Sequence, residues 1–472
     1  MKPLGPPVPD RAGHASHDSG LLEGGRRALT VGLVLVFTGV AFEALAVTTV
    51  MPAVGQDLGG IRLYGWAFSA FMLGNLVGIA VAGPVGDRSG PAGPFRLGLA
   101  LFGAGLLGAG LAPTMLAVVA ARAVQGLGGG AVLATAYVAI GRGYPEERRP
   151  RLFAVLSSAW VVPGIAGPAL AGAVAEGVGW RAVFLGMVPL LPLAGSLALP
   201  SLRRLQPDPR GGEGTTPVGD ALRLATGAGV ALAGLSSREP VVAAVVFTAG
   251  AGWSWPALRR LLPEGTLRAR GALPSAIAVR GLTAFAFFGA EAFLPLALTS
   301  FHGVGTAGAG LALACSSVTW AMGSWAQARW GRRWGGRRTI VTGLVLVASA
   351  VGGLTPLLWP GFPALTAALA WSVAGLGMGL VYSAASLVVL EESAGHEVGR
   401  ASSALQLADV LGVALGTGLG GAALALAVGN GWGRRSGLAM VDGIALAAAL
   451  AALASCRELP TRRSTSPVRS RR

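Results

Sequence analysis

Apolar residues run along this chain in long blocks, separated by short segments that carry most of the charge. A helix that crosses a bilayer needs about 20 predominantly apolar residues, so each block predicts one spanning helix. Blocks near 28–50, 63–85, 95–113, 115–140, 152–175 and 181–199 predict six. The polar stretch "RRLQPDPRGGEGTTPVGD" follows, and then two shorter blocks near 219–236 and 240–258. Six more lie near 275–299, 304–329, 338–357, 363–390, 400–428 and 436–456, which makes fourteen. The block near 219–236 has the shortest apolar core, because Asp220 and Arg223 stand at its start.

The distribution of arginine tests this count independently, since short cytoplasmic loops are enriched in Lys and Arg. With the N-terminus inside, the inner segments hold Arg26 and Arg27; Arg88 and Arg96; Arg142, Arg148, Arg149 and Arg151; Arg203, Arg204 and Arg210. They continue with Arg259, Arg260, Arg268 and Arg270; Arg329, Arg332, Arg333, Arg337 and Arg338; Arg400; and an arginine-rich tail. The outer loops hold little beyond Arg62, Arg181, Arg238, Arg434 and Arg435. Both termini are therefore expected in the cytoplasm, in a multi-pass protein of the plasma membrane.

Composition agrees. Hydrophobic residues make up 53% of the chain and charged residues only 12%, against about 25% charged in a soluble domain. The 75 glycines among 472 residues suit helices whose backbones approach closely through small side chains. The net charge of +16 is scattered over inner loops and forms no basic domain, which argues against nucleic acid as a partner. Two cysteines, Cys315 and Cys456, make no disulfide framework. The first 27 residues have no apolar core, so the first helix itself is expected to direct insertion. Lys2 is the only lysine, and a phosphate-binding G-x-x-x-x-G-K-[ST] loop cannot form without one. The four histidines lie outside the blocks. With no catalytic cluster in the short loops, the sequence calls for no enzyme activity, cofactor or metal.

The expected organisation is a cytoplasmic tail at 1–27, a six-helix unit at 28–200, and a linker with two additional helices at 201–274. A second six-helix unit at 275–456 and a basic cytoplasmic tail at 457–472 complete it. "GPVGDRSG" (Gly83 to Gly90) joins the second and third blocks, and "GSWAQARWGRR" (Gly323 to Arg333) stands near the matching junction of the second unit. The second copy shares the leading glycine and a later Arg-x-Gly through Arg329, with one extra residue and Gln327 near the Asp87 position. Two such junctions imply a parallel internal repeat, which marks one class of secondary transporter.

These motifs resemble the major facilitator superfamily, specifically its fourteen-helix drug:proton antiporter branch. The family's G-x-x-x-D-R-x-G loop is matched by Gly83, Asp87, Arg88 and Gly90, with Pro91 and Ala92 where basic residues are usual. "RAVQGLGGG" (Arg122 to Gly130) is similar to its fourth-helix motif through Arg122, Gln125 and Gly126. "PGIAGPALAG" (Pro163 to Gly172) is similar to the fifth-helix antiporter motif through Gly167, Pro168 and Gly172, with Pro163 in place of the first glycine. "GWRAVF" (Gly179 to Phe184) and "FEALAVTTVMP" complete the match, with Glu43 where that branch commonly has Asp. The resemblance implies an all-α integral membrane fold of two six-helix bundles plus two extra central helices. It also implies a monomer moving small molecules by alternating access.

Glu43, Arg122 and Glu291 are the candidates for proton coupling. Glu43 lies seven or eight residues from the predicted outer end of helix one, about 11 Å deep. Arg122 and Glu291 fall at a similar depth in helices four and nine, and helix nine is the repeat counterpart of helix one. A charge at mid-membrane costs at least about 2.5–3.5 kcal/mol and usually faces a cavity or partner. Asp409 in helix thirteen is a further candidate. Competing structural readings stand beside these. Gly83, Gly90 and Pro168 serve as turns or kinks in any transmembrane helix, Arg122 has the length to snorkel to the interface, and Arg280 and Asp442 sit near predicted helix ends. The expected function is proton-coupled export of small, amphiphilic organic molecules. A dedicated exporter of one metabolite, amino acid or lipid is the alternative, and a non-transporting scaffold or sensor is the contrasting class.

Overall fold

The computed structural model describes residues 26–145, 152, 155–156, 159, 161–205, 218–237, 239–359, 361–393 and 398–460. Both terminal tails, the linker at 206–217, and Arg148, Arg149, Arg151 and Arg238 lie outside the described residues, and so does the side chain of Asp87. The described residues form an all-helical bundle without strands. Its fourteen long elements are α1 (Arg26–Asp57), α2 (Tyr64–Ser89), α3 (Ala92–Gly110), α4 (Met115–Gly143), α5 (Val161–Gly177), α6 (Trp180–Leu202, interrupted at 186–189) and α7 (Val218–Leu235). They continue with α8 (Pro240–Leu261), α9 (Ala272–Phe301), α10 (Thr306–Trp334), α11 (Gly336–Gly352), α12 (Leu365–Glu392), α13 (Val398–Gly429) and α14 (Gly433–Ser455). Twelve of these are long and apolar enough to cross a membrane. The two others are α10, a 29-residue helix with a polar end, and α5, a 17-residue helix over the later part of the predicted block at 152–175, whose first part lies mostly outside the described residues.

The two halves repeat one packing plan. In the first, α4 packs on α2 and α3, and α1 on α5 and α6; in the second, α12 packs on α10 and α11, and α9 on α13 and α14. The halves then meet twice through equivalent pairs, α2 against α13 and α5 against α10. These seams are tight where glycine faces backbone. A Cβ on Gly172 would strike the backbone of Thr306 and Ala307, and one on Gly310 would strike the carbonyl of Pro168. Small residues at such crossings give transmembrane helices their dispersion contact.

At the end where α1 passes into α2, the seam is also polar and aromatic. Tyr64 donates its hydroxyl proton to the carbonyl of Ala292 at 3.1 Å, and its ring lies 5.4 Å from that of Phe293. Ser69 hydrogen-bonds Thr417 at 3.0 Å. One apolar core joins both halves here, from Val50, Met51 and Phe68 to Phe293, Leu424 and Val441. The same end ties α1 to α6, because Asp57 accepts from Trp180 at 3.0 Å and from Arg181 at 2.6 Å.

The α7–α8 hairpin lies outside the two halves. α7 rests on α2 and α13 at their seam, where Trp66 donates to Ser236 at 3.3 Å. α8 turns Val241, Val245 and Trp253 outward. The charges that shorten the apolar core of α7 are matched within the hairpin. Asp220 pairs with Arg260 at 3.1 Å, and Arg223 donates to the carbonyl of Trp253 at 2.7 Å. Pairing of this kind lowers the cost of carrying two charges on an 18-residue helix long and apolar enough to cross a membrane.

Candidate functional site

Glu43 and Arg122 come from different helices and meet in the interior of the first half. Glu43 on α1 is wholly buried and Arg122 on α4 is 2% exposed. Arg122 Nη1 is ion-paired with Glu43 Oε1 and also donates to Gln125 Oε1 at 2.7 Å. Gln125 lies three residues further along α4, the spacing that puts two side chains on one helix face. Arg122 Nε donates to the carbonyl of Ala67 at 3.1 Å, and the guanidinium lies 4.1 Å from the ring centre of Phe71, both on α2. Arg122 therefore does not snorkel to the interface. Two buried atoms beside this pair, Glu43 Oε2 and Gln125 Nε2, have no hydrogen-bond partner among the described residues.

Glu291 holds the matching place on α9 with a different neighbour. It is 5% exposed, and its Oε1 accepts a hydrogen bond from the indole N–H of Trp371 on α12 at 3.2 Å. Trp371 is fully buried and stacks on Phe287 at 4.7 Å. Among the described residues no arginine pairs with Glu291. The helix breaks immediately after it, between Glu291 and Leu294. Pro295 explains the break, since its ring excludes the carbonyl four residues earlier and it has no N–H to offer.

Asp409 is not an isolated acid. Arg280 on α9 grips it with two hydrogen bonds, Nε to Oδ1 at 2.9 Å and Nη2 to Oδ2 at 2.8 Å. The same guanidinium donates to Ser386 at 2.7 Å and to the carbonyl of Tyr382 at 3.1 Å, and lies 3.6 Å from the Tyr382 ring centre. This differs from the interfacial position expected for Arg280. α9 begins at Ala272, earlier than the predicted block at 275, so Arg280 lies deeper and faces α12 and α13. Asp442, also expected at an interface, is buried beside a small cavity with His302.

The glycine loop occupies a sharp helix junction. α2 ends at Ser89, and Gly90 adopts φ 86° and ψ 152°, a region open essentially to glycine. Gly83 lies within α2 and is half-buried, Asp87 stands in its last turn, and Arg88 is exposed there. The second half repeats the junction in a different register from the one expected. Gly335, with φ 81° and ψ 152°, joins α10 to α11 as Gly90 joins α2 to α3. Arg329 is exposed within α10, six residues before that junction. On α5, Gly167, Pro168 and Gly172 are all buried. Gly172 and Pro168 lie on the seam with α10, while Gly167 faces Phe42 of α1.

Sequence reasoning missed Trp371, Tyr382 and the carboxylate-binding role of Arg280. A signal for Trp371 exists in the repeat. "RAVQGLGGG" (Arg122 to Gly130) aligns with "WSVAGLGMG" (Trp371 to Gly379) through Val124 and Val373, Gly126 and Gly375, Gly128 and Gly377, and Gly130 and Gly379, which pairs Arg122 with Trp371.

A family model described as Major Facilitator Superfamily matches residues 30–417. An uncharacterised MFS-type transporter of Mycobacterium tuberculosis is 28% identical over 489 positions, covering 99% of this chain and 69% of the relative. A probable multidrug-efflux transporter of the same organism is 32% identical over 196 residues, 41% of each chain. Multidrug resistance protein 3 of Bacillus subtilis is 29% identical over 162 residues, and that match spans only 32% of its length. Among solved structures, an auto-inhibited POT family peptide transporter superposes with a TM-score of 0.66 at 14% identity, over 93% of this chain and 98% of that one. The xylose transporter XylE from E. coli, in a partially occluded inward-open conformation, gives 0.60 at 13% identity, over 91% and 97%. At such identities the likeness is one of fold.

Proposed function

From the premise that this chain belongs to the Major Facilitator Superfamily, we propose that it is a proton-coupled exporter of small amphiphilic organic molecules. The family and the fold make it a multi-pass membrane transporter; the coupling, direction and substrate class are our reading. The relatives with efflux names support the substrate class. The observation that carries the coupling is the buried Glu43–Arg122 pair. A carboxylate's hold on a proton depends on whether a guanidinium stands beside it. A conformational change that separates α1 from α4 would therefore alter how tightly Glu43 binds a proton, which is the physical requirement for coupling.

The repeated seams support a reading by alternating access. In this reading the α1–α2 end faces outward, both termini lie in the cytoplasm, and the units at 28–200 and 275–456 rock about the two repeated helix pairs. The Tyr64–Ala292 and Ser69–Thr417 bonds and the Gly172–Ala307 approach then close the outer side. The loop at Gly83, Asp87, Arg88 and Gly90 would bias one state without touching substrate. The α7–α8 hairpin would ride on the outside of the seam.

Two experiments test the reading. Cysteines at Gly211 and Ser464, both outside the described residues, should label only from the cytoplasm and one at Gly431 only from outside; outside labelling of Gly211 contradicts the topology. Expression in an efflux-deficient host should lower susceptibility to several amphiphilic compounds, and Glu43→Gln should abolish that protection. A change confined to a single metabolite would instead point to a dedicated exporter.

A further inference from the structure

Where α8 gives way to α9, a short turn at Thr266–Arg268 bridges a cavity of about 620 Å³, within the usual range for small-ligand sites. Its floor is apolar, formed by Leu262 just after α8, Phe285 of α9 and Leu415 of α13, and Gly281 and Gly412 add no side chain to it. Its rim is cationic. Arg268 and Arg270 come from the turn and Arg457 from the short segment after α14, with Glu458 beside it. All three arginines are exposed, and none is in an ion pair among the described residues. Between the first two, Ala269 has φ 48°, the one positive φ on a non-glycine residue among those described. A residue with a Cβ rarely adopts that conformation. It is held by Ser275, whose hydroxyl donates to the Ala269 carbonyl at 2.7 Å. The strained turn places Arg268 and Arg270 on the same rim.

We propose that this cavity binds one anionic phospholipid from the leaflet at that end of the bundle. The phosphate would meet Arg268, Arg270 and Arg457, and an acyl chain would lie along Phe285 and Leu415. Charge complementarity selects the head group, since three arginines oppose a single glutamate. The apolar floor selects a lipid over a soluble anion, which could use only the rim. This site lies apart from Glu43 and Arg122, between the extra hairpin and the second half, and the inference does not depend on proton coupling.

The test is native mass spectrometry of the full-length protein in detergent, titrated with phosphatidylglycerol or phosphatidylcholine, and with inorganic phosphate as competitor. One phosphatidylglycerol should bind ahead of all others. The triple variant Arg268→Gln/Arg270→Gln/Arg457→Gln should weaken it about a hundredfold, from about fivefold for each arginine near an anionic head group. The matched variant Arg96→Gln/Arg203→Gln/Arg204→Gln, which removes three exposed arginines of the first half, should leave it unchanged. If the first triple variant folds poorly, Arg457→Glu alone should weaken binding about 25-fold by reversing one charge. Equal loss in the matched variant, equal binding of phosphatidylcholine, full affinity in Arg457→Glu, or displacement by millimolar phosphate would each overturn the proposal.

Discussion

Glu43 in α1 and Glu291 in α9 hold matching positions in the two halves, yet Glu43 meets a guanidinium and Glu291 an indole. In the first half the carboxylate, Arg122 and Gln125 form a buried polar cluster, with the guanidinium against Phe71. In the second, the place of Arg122 is taken by Trp371, stacked on Phe287, and the guanidinium of that half sits elsewhere. Arg280 lies eleven residues before Glu291 on α9, about 16 Å along the helix, and holds Asp409 there. Among the described residues, each half therefore has an interior arginine–carboxylate pair, but at a different depth. The packing plan is duplicated and the placement of charge is not. In the proposed rocking cycle, an asymmetric arrangement of this kind would give the two halves different tasks.

The difference makes unequal demands on stability. Removing one partner of a buried ion pair costs about 3–5 kcal/mol, because the other charge is left uncompensated. Arg122→Gln should therefore be the most damaging single change in the site, with a loss of that size in thermal unfolding monitored by intrinsic fluorescence. Adding Glu43→Gln to it should recover most of the loss. If Arg122→Gln melts like the wild type, the pair in the first half does not hold the fold.

Asp409→Asn should have an intermediate effect. Its partner Arg280 is 12% exposed on its side chain and Asp409 is 22% exposed, so solvent offsets part of the lost charge. Hydrogen bonds to charged groups contribute about 1.5–3 kcal/mol, and a loss near the lower end of that range is expected from the same melting measurement. A loss as large as that of Arg122→Gln would mean that the two ion pairs are equivalent after all. The smallest effect should come from Glu291→Gln, which keeps an acceptor for Trp371 and removes no partner from a cation. Its change should stay within about 1 kcal/mol. A larger value would point to a counter-charge for Glu291.

The fold was legible because spanning helices write themselves as long apolar blocks, and all fourteen blocks became helices. Helix ends were less legible. α10 runs on to Trp334 because arginines and tryptophans are compatible with a helix that emerges at the interface, which moved the second glycine junction from the expected copy to Gly335. Within the site, Glu43 and Arg122 stood out because an ionised residue in an apolar block demands a partner. Trp371 gave no such signal, since a tryptophan in an apolar helix looks like any other core or lipid-facing residue. Arg280 was misjudged by a three-residue error in the start of α9, nearly one turn. Charge was readable as a need for a partner, but which residue met that need depended on helix packing.

The central claim is that Glu43 carries the proton and does more than satisfy Arg122. The double variant Glu43→Gln/Arg122→Gln separates the two ideas, because it removes both charges and leaves no buried ion unpaired. The direct measurement is transport driven by a pH gradient in proteoliposomes, with downhill counterflow as the control for a folded, moving protein. The account predicts that the double variant melts close to the wild type and exchanges substrate downhill, yet fails to accumulate it against a gradient. Accumulation at the wild-type rate would contradict the account and reduce Glu43 to a structural counter-ion.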